Sequence, residues 1–429
     1  WCNVPFSESF TNVMPAWLQL KYAHANGLLS DDIFAVANIL KVMSLHRVSD
    51  IYGPLPVLHF GETENPYNSQ EECYMHFFET LDSAIAVLKD VVENNPDAKP
   101  LEEVDALYHG DYSKWLKLAN SVKLRLAMRI CYVKPDLAKQ YAMEAVRDGV
   151  METADDSALF QSWGSITVIN PLEKIWNGYS DTRMGASMDS YLNGYNDPRL
   201  PVYFQPVTDG DNKGEYRGVA NGMPNPQQED YKAMSSPNVQ EKSTDSPLRW
   251  MMASEVAFLR AEGAMRGWTA EMGGTAEEFY NKGIELSFLE NGLSADAAAR
   301  YAADETSKPT DFTAANTKYN ISALGKIAIK WNSGASEEEQ LERIITQKWI
   351  AMFPNGTEAW SEFRRTGYPR LFPVRYNYPS SGVDTNKQIR RMVFPQSEYS
   401  NNGAAVQEAV KLLGGPDNGG TKLWWDKKN

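Results

Sequence analysis

Cysteine is scarce in this chain: Cys2, Cys73 and Cys131 are the only three in 429 residues. They show no paired C-x-x-C spacing, which excludes a local zinc ribbon and a disulfide framework. Histidine is thinly spread as well. His24, His46, His59, His76 and His109 lie too far apart for a local metal motif. His46 and Asp50 sit four apart with no G-x-S-x-G nucleophile motif beside them. Catalytic residues, a metal site and a cofactor are therefore all read as none. No run of eighteen apolar residues occurs, so no membrane-spanning helix is encoded. Positive charge is in deficit, with 42 Lys and Arg against 56 Asp and Glu, a net charge of −14 and a pI near 5.0. That balance argues against nucleic acid, whose polyanionic backbone needs a basic face. Long alternating runs are missing too, so the core is read as all-α.

Helical periodicity is abundant. Apolar residues recur at helical spacing over about 15–26, 31–47, 70–92, 112–131, 136–148, 248–267, 276–291, 337–352 and 357–366,. A degenerate pattern of large, small and β-branched residues runs through Leu81/Ala84/Ile85, Ala142/Ala145/Val146 and Tyr280/Gly283/Ile284. Small residues there let helices approach closely, as in tetratricopeptide units. Their irregular spacing implies scattered helical pairs with insertions between them. The expected fold is an all-α, tetratricopeptide-like scaffold of helical hairpins with a loop-rich subdomain. We read residues 1–429 as one domain, with the scaffold at about 1–150 and 248–367 and the loop-rich part at about 150–247 and 368–429.

Residues 336–371 (SEEEQLERIITQKWIAMFPNGTEAWSEFRRTGYPRL) are the most informative stretch. Ser336 and Glu339 form a capping-box signature, and Leu341, Ile344, Ile345, Trp349 and Met352 follow at helical spacing. Pro354-Asn355-Gly356 stops that helix, Thr357 is the expected cap of the next, and Gly367 ends it. This stretch resembles the C-terminal hallmark of the SusD/RagB family, in its SusD-like subgroup. Further blocks fit in order. Arg47, Asp50, Tyr52, Gly53 and Pro56 match its Arg-x-x-Asp-x-Tyr-Gly-x-x-Pro motif, and residues 106–130 match a Gly-Asp turn before a long helix. Asp197-Pro198-Arg199-Leu200, residues 248–268 and a Trp-Trp-Asp end at Trp424 to Asp426 complete the set. Pro54 departs from the pattern, standing where the family commonly has Asp.

The resemblance implies an outer-membrane lipoprotein, displayed at the cell surface of a Bacteroides-like bacterium. It would bind a nutrient polymer, most often a glycan, for import through a SusC-like TonB-dependent transporter. It also implies a signal peptide and a lipid-bearing cysteine upstream, the only membrane attachment. Cys2, preceded by Trp1 alone and by no apolar segment, is not read as that cysteine. The alternatives are a helical-repeat adaptor for another protein and, more remotely, a glycoside hydrolase with dispersed carboxylates. Glu255 and Glu262 share one helical face, but their apolar neighbours make them read as buried ion-pairing groups. Glu358, Glu362, Arg364 and Arg365 read in the same way, as a network fastening the last helices.

The region 150–247 is dense in Gly, Pro, Asn and Asp yet rich in aromatics, which argues for ordered loops. Within it, residues 209–215 resemble a broken calcium loop: Asp209, Asp211 and Gly214 fit, but Lys213 replaces an oxygen ligand and no Glu stands at position twelve,. They are read as a plain turn. Sugar rings pack their apolar faces on aromatic rings and their hydroxyls on amides or charges. Segment 161–181 supplies both, so the candidate ligand-binding residues are Trp163, Trp176, Asn177, Tyr179, Asp181 and Arg183. Trp331 joins them as a second candidate, with Tyr376 and Tyr378.

Overall fold

The computed structural model describes residues 3–224, 227, 229, 231–239, 246–314 and 316–428, apart from the side chain of Asn177. Cys2 lies outside the described residues, as does part of the 209–230 loop. The chain forms two compact units, Trp1–Met151 with Tyr378–Asn429, and Glu152–Asn377. The described residues are mostly helical, with one two-stranded sheet. The expected all-α scaffold of packed hairpins is what forms.

In the first unit, helices Met14–Ala25, Asp31–Tyr52, Gln70–Asn94, Tyr112–Arg129 and Pro135–Arg147 each pack on the next. Ala84, Ala142 and Ala145 are buried at these crossings, where small side chains permit close approach. The residues that carried the family resemblance have structural work here. Asp50 Oδ1 accepts from Trp425 Nε1 (2.8 Å) and from the Tyr74 hydroxyl, and Arg129 lies 3.3 Å from its other oxygen. Asp426 takes Arg390 at 2.6 Å. Gly53 turns the chain at φ +95°, where a Cβ would press on Leu413 and Leu423,. Asp111 caps helix Tyr112–Arg129, as the Gly-Asp turn implied,.

In the second unit, helix Ala253–Met265 packs on Ala276–Leu289 and Glu337–Ala351, and Gly356–Thr366 packs on Glu337–Ala351. Gly283 faces Phe258 across the first of these contacts. The charged clusters pair internally. Arg365 donates to Glu262 (2.6 and 2.7 Å) and to Glu362 (2.6 and 3.0 Å). Lys348 lies 3.2 Å from Glu362 and 3.8 Å from Glu255 and Glu358. Arg199, fully buried, joins Asp197 to Ser287 and Gln347 and so ties two helices together. All four glutamates are buried beside Arg365 or Lys348, which suits a fastening role.

Three local expectations are corrected. The predicted 248–267 helix begins only at Ala253, because Leu248–Met251 pairs as a strand with Ala158–Phe160. The Phe160 and Trp250 rings stack there at 4.7 Å, a contact that helical geometry would not offer. The 368–429 stretch, read as loop-rich, contains helix Gln396–Leu413, whose Asn402 is non-helical and blurs its period. Asn355, not Thr357, caps helix Gly356–Thr366. Ala186–Gly194 and Ala295–Ala302 are further helices that the sequence reading left in loops or passed over.

Candidate functional site

Two segments of the second unit, 212–234 and 312–319, line one cavity of about 370 Å³. The first is anchored by a short ladder: Val219 N–H donates to Met184 O (2.8 Å), Ala186 N–H to Val219 O (2.9 Å), and Met184 N–H to Ser235 O (2.8 Å). Gly218 is needed at this approach, since a Cβ there would sit 2.9–3.0 Å from Met184 and Gly185 backbone atoms. Below it, buried Asp189 accepts the Gly218 N–H at 2.7 Å, and burial raises its carboxyl pKa. The second segment pairs Phe312 with Ile321. Ala186, Ala220, Phe312 and Phe372 form a buried cluster with Met223 and Tyr319 packed on it, and Ala220 and Phe312 of that cluster line the cavity.

Tyr231, Phe312 and Tyr319 supply aromatic surface to this cavity, and Asn212, Asn316, Arg217 and Lys318 supply polar groups. Flat rings beside amides and cations are what a sugar needs, apolar face on ring and hydroxyls on donors. The sequence reading missed the 312–319 wall altogether, because that segment has no periodicity. Tyr231 was visible only as one aromatic among many in the loop.

The expected residues fall in several places. Trp176 lies in the π-helical turn Lys174–Tyr179, half-buried, with the Arg183 guanidinium 4.7 Å over its ring. Arg183 donates to Ser180 O and Thr182 O, and twice to Lys232 O (2.7 and 3.2 Å). It therefore links Trp176 to the chain beside Tyr231, a cavity wall. Burial lowers the Arg183 pKa, opposed by Tyr231 and Asp181. Tyr179 is 45% exposed and Asp181 is also exposed. Trp163 is 38% exposed in a turn where its backbone pairs with Ile166 in both directions. The Asn177 side chain lies outside the described residues. Trp331 is buried against Tyr280, with ring centroids 5.2 Å apart, and borders a second cavity of about 820 Å³ beside Glu277, Glu285 and Lys330. Tyr376, in the second unit, and Tyr378, in the first, are both exposed.

Over residues 1–426 the chain matches the model of the SusD-like family, described as "Susd and RagB outer membrane lipoprotein". The chain belongs to the SusD-like family. The solved structures agree. A chitin-binding SusD homolog from Flavobacterium johnsoniae is 40% identical with a TM-score of 0.92, covering 99% of this chain and 86% of that one. A SusD-like protein from Bacteroides thetaiotaomicron VPI-5482 is 39% identical with a TM-score of 0.90, over 99% and 87%. A SusD homolog from Bacteroides ovatus ATCC 8483 is 35% identical with a TM-score of 0.88, over 100% and 88%. No curated protein matches the chain. The family resemblance drawn from the ordered motifs is thus borne out, and with it the SusD-like helical fold. Among the described residues no helix is long and apolar enough to cross a membrane.

Proposed function

We propose that this SusD-like protein is a non-catalytic glycan-binding protein. It would be tethered at the cell surface by a lipid upstream of residue 1 and would hold its ligand for import through a SusC-like TonB-dependent transporter. The observation that carries the reading is the aromatic-walled cavity of about 370 Å³ with amides and cations at its edge, in a chain 40% identical to a chitin-binding homolog. Tyr231 and Tyr319 serve as the stacking surface over the buried Phe312, and Trp176, fixed by Arg183, as an outlying ring. Holding the rings on a packed backbone ladder limits the entropy lost when a ligand orders them. Trp163, Tyr179 and Asp181 belong to the same loop region and are proposed as peripheral contacts.

A glycan array on the soluble chain, followed by calorimetric titration of the best ligand, tests this. Stacking of a planar ligand on one aromatic contributes about 1–3 kcal/mol, by analogy with bases on aromatic side chains, or roughly 5- to 150-fold in affinity. Tyr319→Ala and Trp176→Ala are expected to weaken binding within that range while leaving the thermal midpoint nearly unchanged. Absence of binding to any glycan, or release of reducing sugar from a bound one, would overturn the proposal. Co-purification of the lipidated protein with a TonB-dependent barrel tests the transporter partnership.

A further inference from the structure

The cavity walls carry a bias of charge. Among the described residues its lining contains two cations, Arg217 and Lys318, and no carboxylate, although the chain has 56 acidic against 42 basic residues. Arg217 is already compensated, with Glu215 at 2.9 Å and buried Asp189 acting on it from below. Arg183, nearby, turns its donors onto main-chain carbonyls and has Asp181 beside it. Lys318 is different. Its Nζ lies 4.7 Å over the Tyr319 ring, its side chain is exposed, and no carboxylate among the described residues pairs with it. Its backbone is held in the turn Thr317–Tyr319, where Asn316 Oδ1 accepts the Lys318 N–H at 3.2 Å. A sugar ring stacked on Tyr319 would therefore carry its substituents beside an uncompensated ammonium. A hydroxyl or N-acetyl group gains an ordinary hydrogen bond there, whereas a carboxylate or sulfate ester gains a charge-assisted one.

Resting on the glycan reading above, we propose that this cavity selects a glycan with an anionic substituent, a uronate carboxylate or a sulfate ester, on the ring that stacks against Tyr319. Lys318 then acts as the specificity-determining residue. The chain's net charge of −14 repels such a ligand at long range, and salt screens that repulsion as well as the local contact. Salt dependence alone is therefore a poor readout, and the variant Lys318→Gln at fixed ionic strength is the decisive one.

The test is calorimetric titration of the wild type, Lys318→Gln and Tyr319→Ala with three hexasaccharides: hexagalacturonate, a sulfated galactan fragment and neutral chitohexaose. The expected result is that one anionic ligand binds more tightly than chitohexaose, the uronate and sulfate arms identifying which. Lys318→Gln should weaken that ligand by roughly 2- to 5-fold, the range of one exposed ion pair, and leave chitohexaose unmoved. Tyr319→Ala should weaken all ligands that bind. If chitohexaose binds best, or if Lys318→Gln changes nothing while Tyr319→Ala weakens binding, the charge inference falls and the glycan reading stands. If none of the three binds, the charge inference falls, and the glycan array decides the glycan reading separately.

Discussion

Arg365 has no exposed surface and two carboxylates to satisfy, Glu262 and Glu362. Burial pushes the Glu262 carboxyl up, and Arg365 and Arg266 push it down further, to about 2. Removing the guanidinium in Arg365→Met leaves Glu262 with Arg266 alone and Glu362 with Lys348 alone in a dry site, which costs about 3–5 kcal/mol. Urea denaturation is expected to show that loss, and a change under 1 kcal/mol would mean that the network does not fasten the last helices. This pairing was legible in sequence, because charges at helical spacing among apolar residues must find partners. The pair Lys41 and His76 was not legible. Lys41 sits buried on helix Asp31–Tyr52, 4.0 Å over the Trp17 ring and 3.2 Å from His76 Nε2. Burial, with Lys21 nearby, lowers its pKa to about 7, and burial with the two lysines lowers that of His76 to about 4. Unfolding restores ordinary basicity, so the unfolded chain binds more protons and stability rises with pH across both windows. From pH 7 to 9 Lys41 accounts for about 2 kcal/mol of that rise. Lys41→Met should flatten the climb of the thermal midpoint between pH 7 and 9, and an unchanged slope would show that Lys41 keeps its proton in the folded state.

At the scale of elements, periodicity served well where a helix has one clean apolar face, and capping chemistry fixed some ends. Ser336 and Glu339 do form their capping box, and Gly367 ends helix Gly356–Thr366 in the left-handed region. Periodicity failed where a strand runs straight into a helix, as at Leu248–Met251, since a short apolar run fits both. It failed again at Gln396–Leu413, where Asn402 breaks the pattern. The small residue in the repeat pattern was read correctly as a crossing point, and Gly283 puts a number on it. A Cβ there would stand 2.7 Å from the ring of Phe258, which is fully buried. Gly283→Ala gains about 1 kcal/mol of helix propensity but overpacks the crossing, at a cost of about 1–3 kcal/mol. The clash should win, giving a net loss on the order of 1 kcal/mol in equilibrium unfolding. A stabilised variant would mean that helices Ala253–Met265 and Ala276–Leu289 can move apart.

For the molecule as a whole, the proposed ligand pocket was legible only in its chemistry. Aromatic-rich ordered loops signalled stacking surface, but nothing local in the sequence could bring 184–186, 217–234 and 312–319 together. Their meeting depends on main-chain bonds such as Val219 to Met184 and Phe312 to Ile321, which any side chain of suitable size permits. Every described residue lining that cavity belongs to the unit Glu152–Asn377. A ligand that binds only the folded pocket stabilises it by mass action, by about 2.7 kcal/mol at a hundred times its dissociation constant. Local openings of the ladder should become rarer by a corresponding factor. Hydrogen exchange with and without saturating glycan is therefore expected to show added protection at the amides of Ala186, Val219, Phe312 and Ile321. Amides around Lys41 and His76, in the other unit, should exchange as before. Tyr319→Ala at the same glycan concentration should lose at least about a third of the added protection free energy while keeping the unliganded pattern. Protection centred instead on Lys330 and Trp331 would move the site to the second cavity, beside the carboxylates of helix Ala276–Leu289.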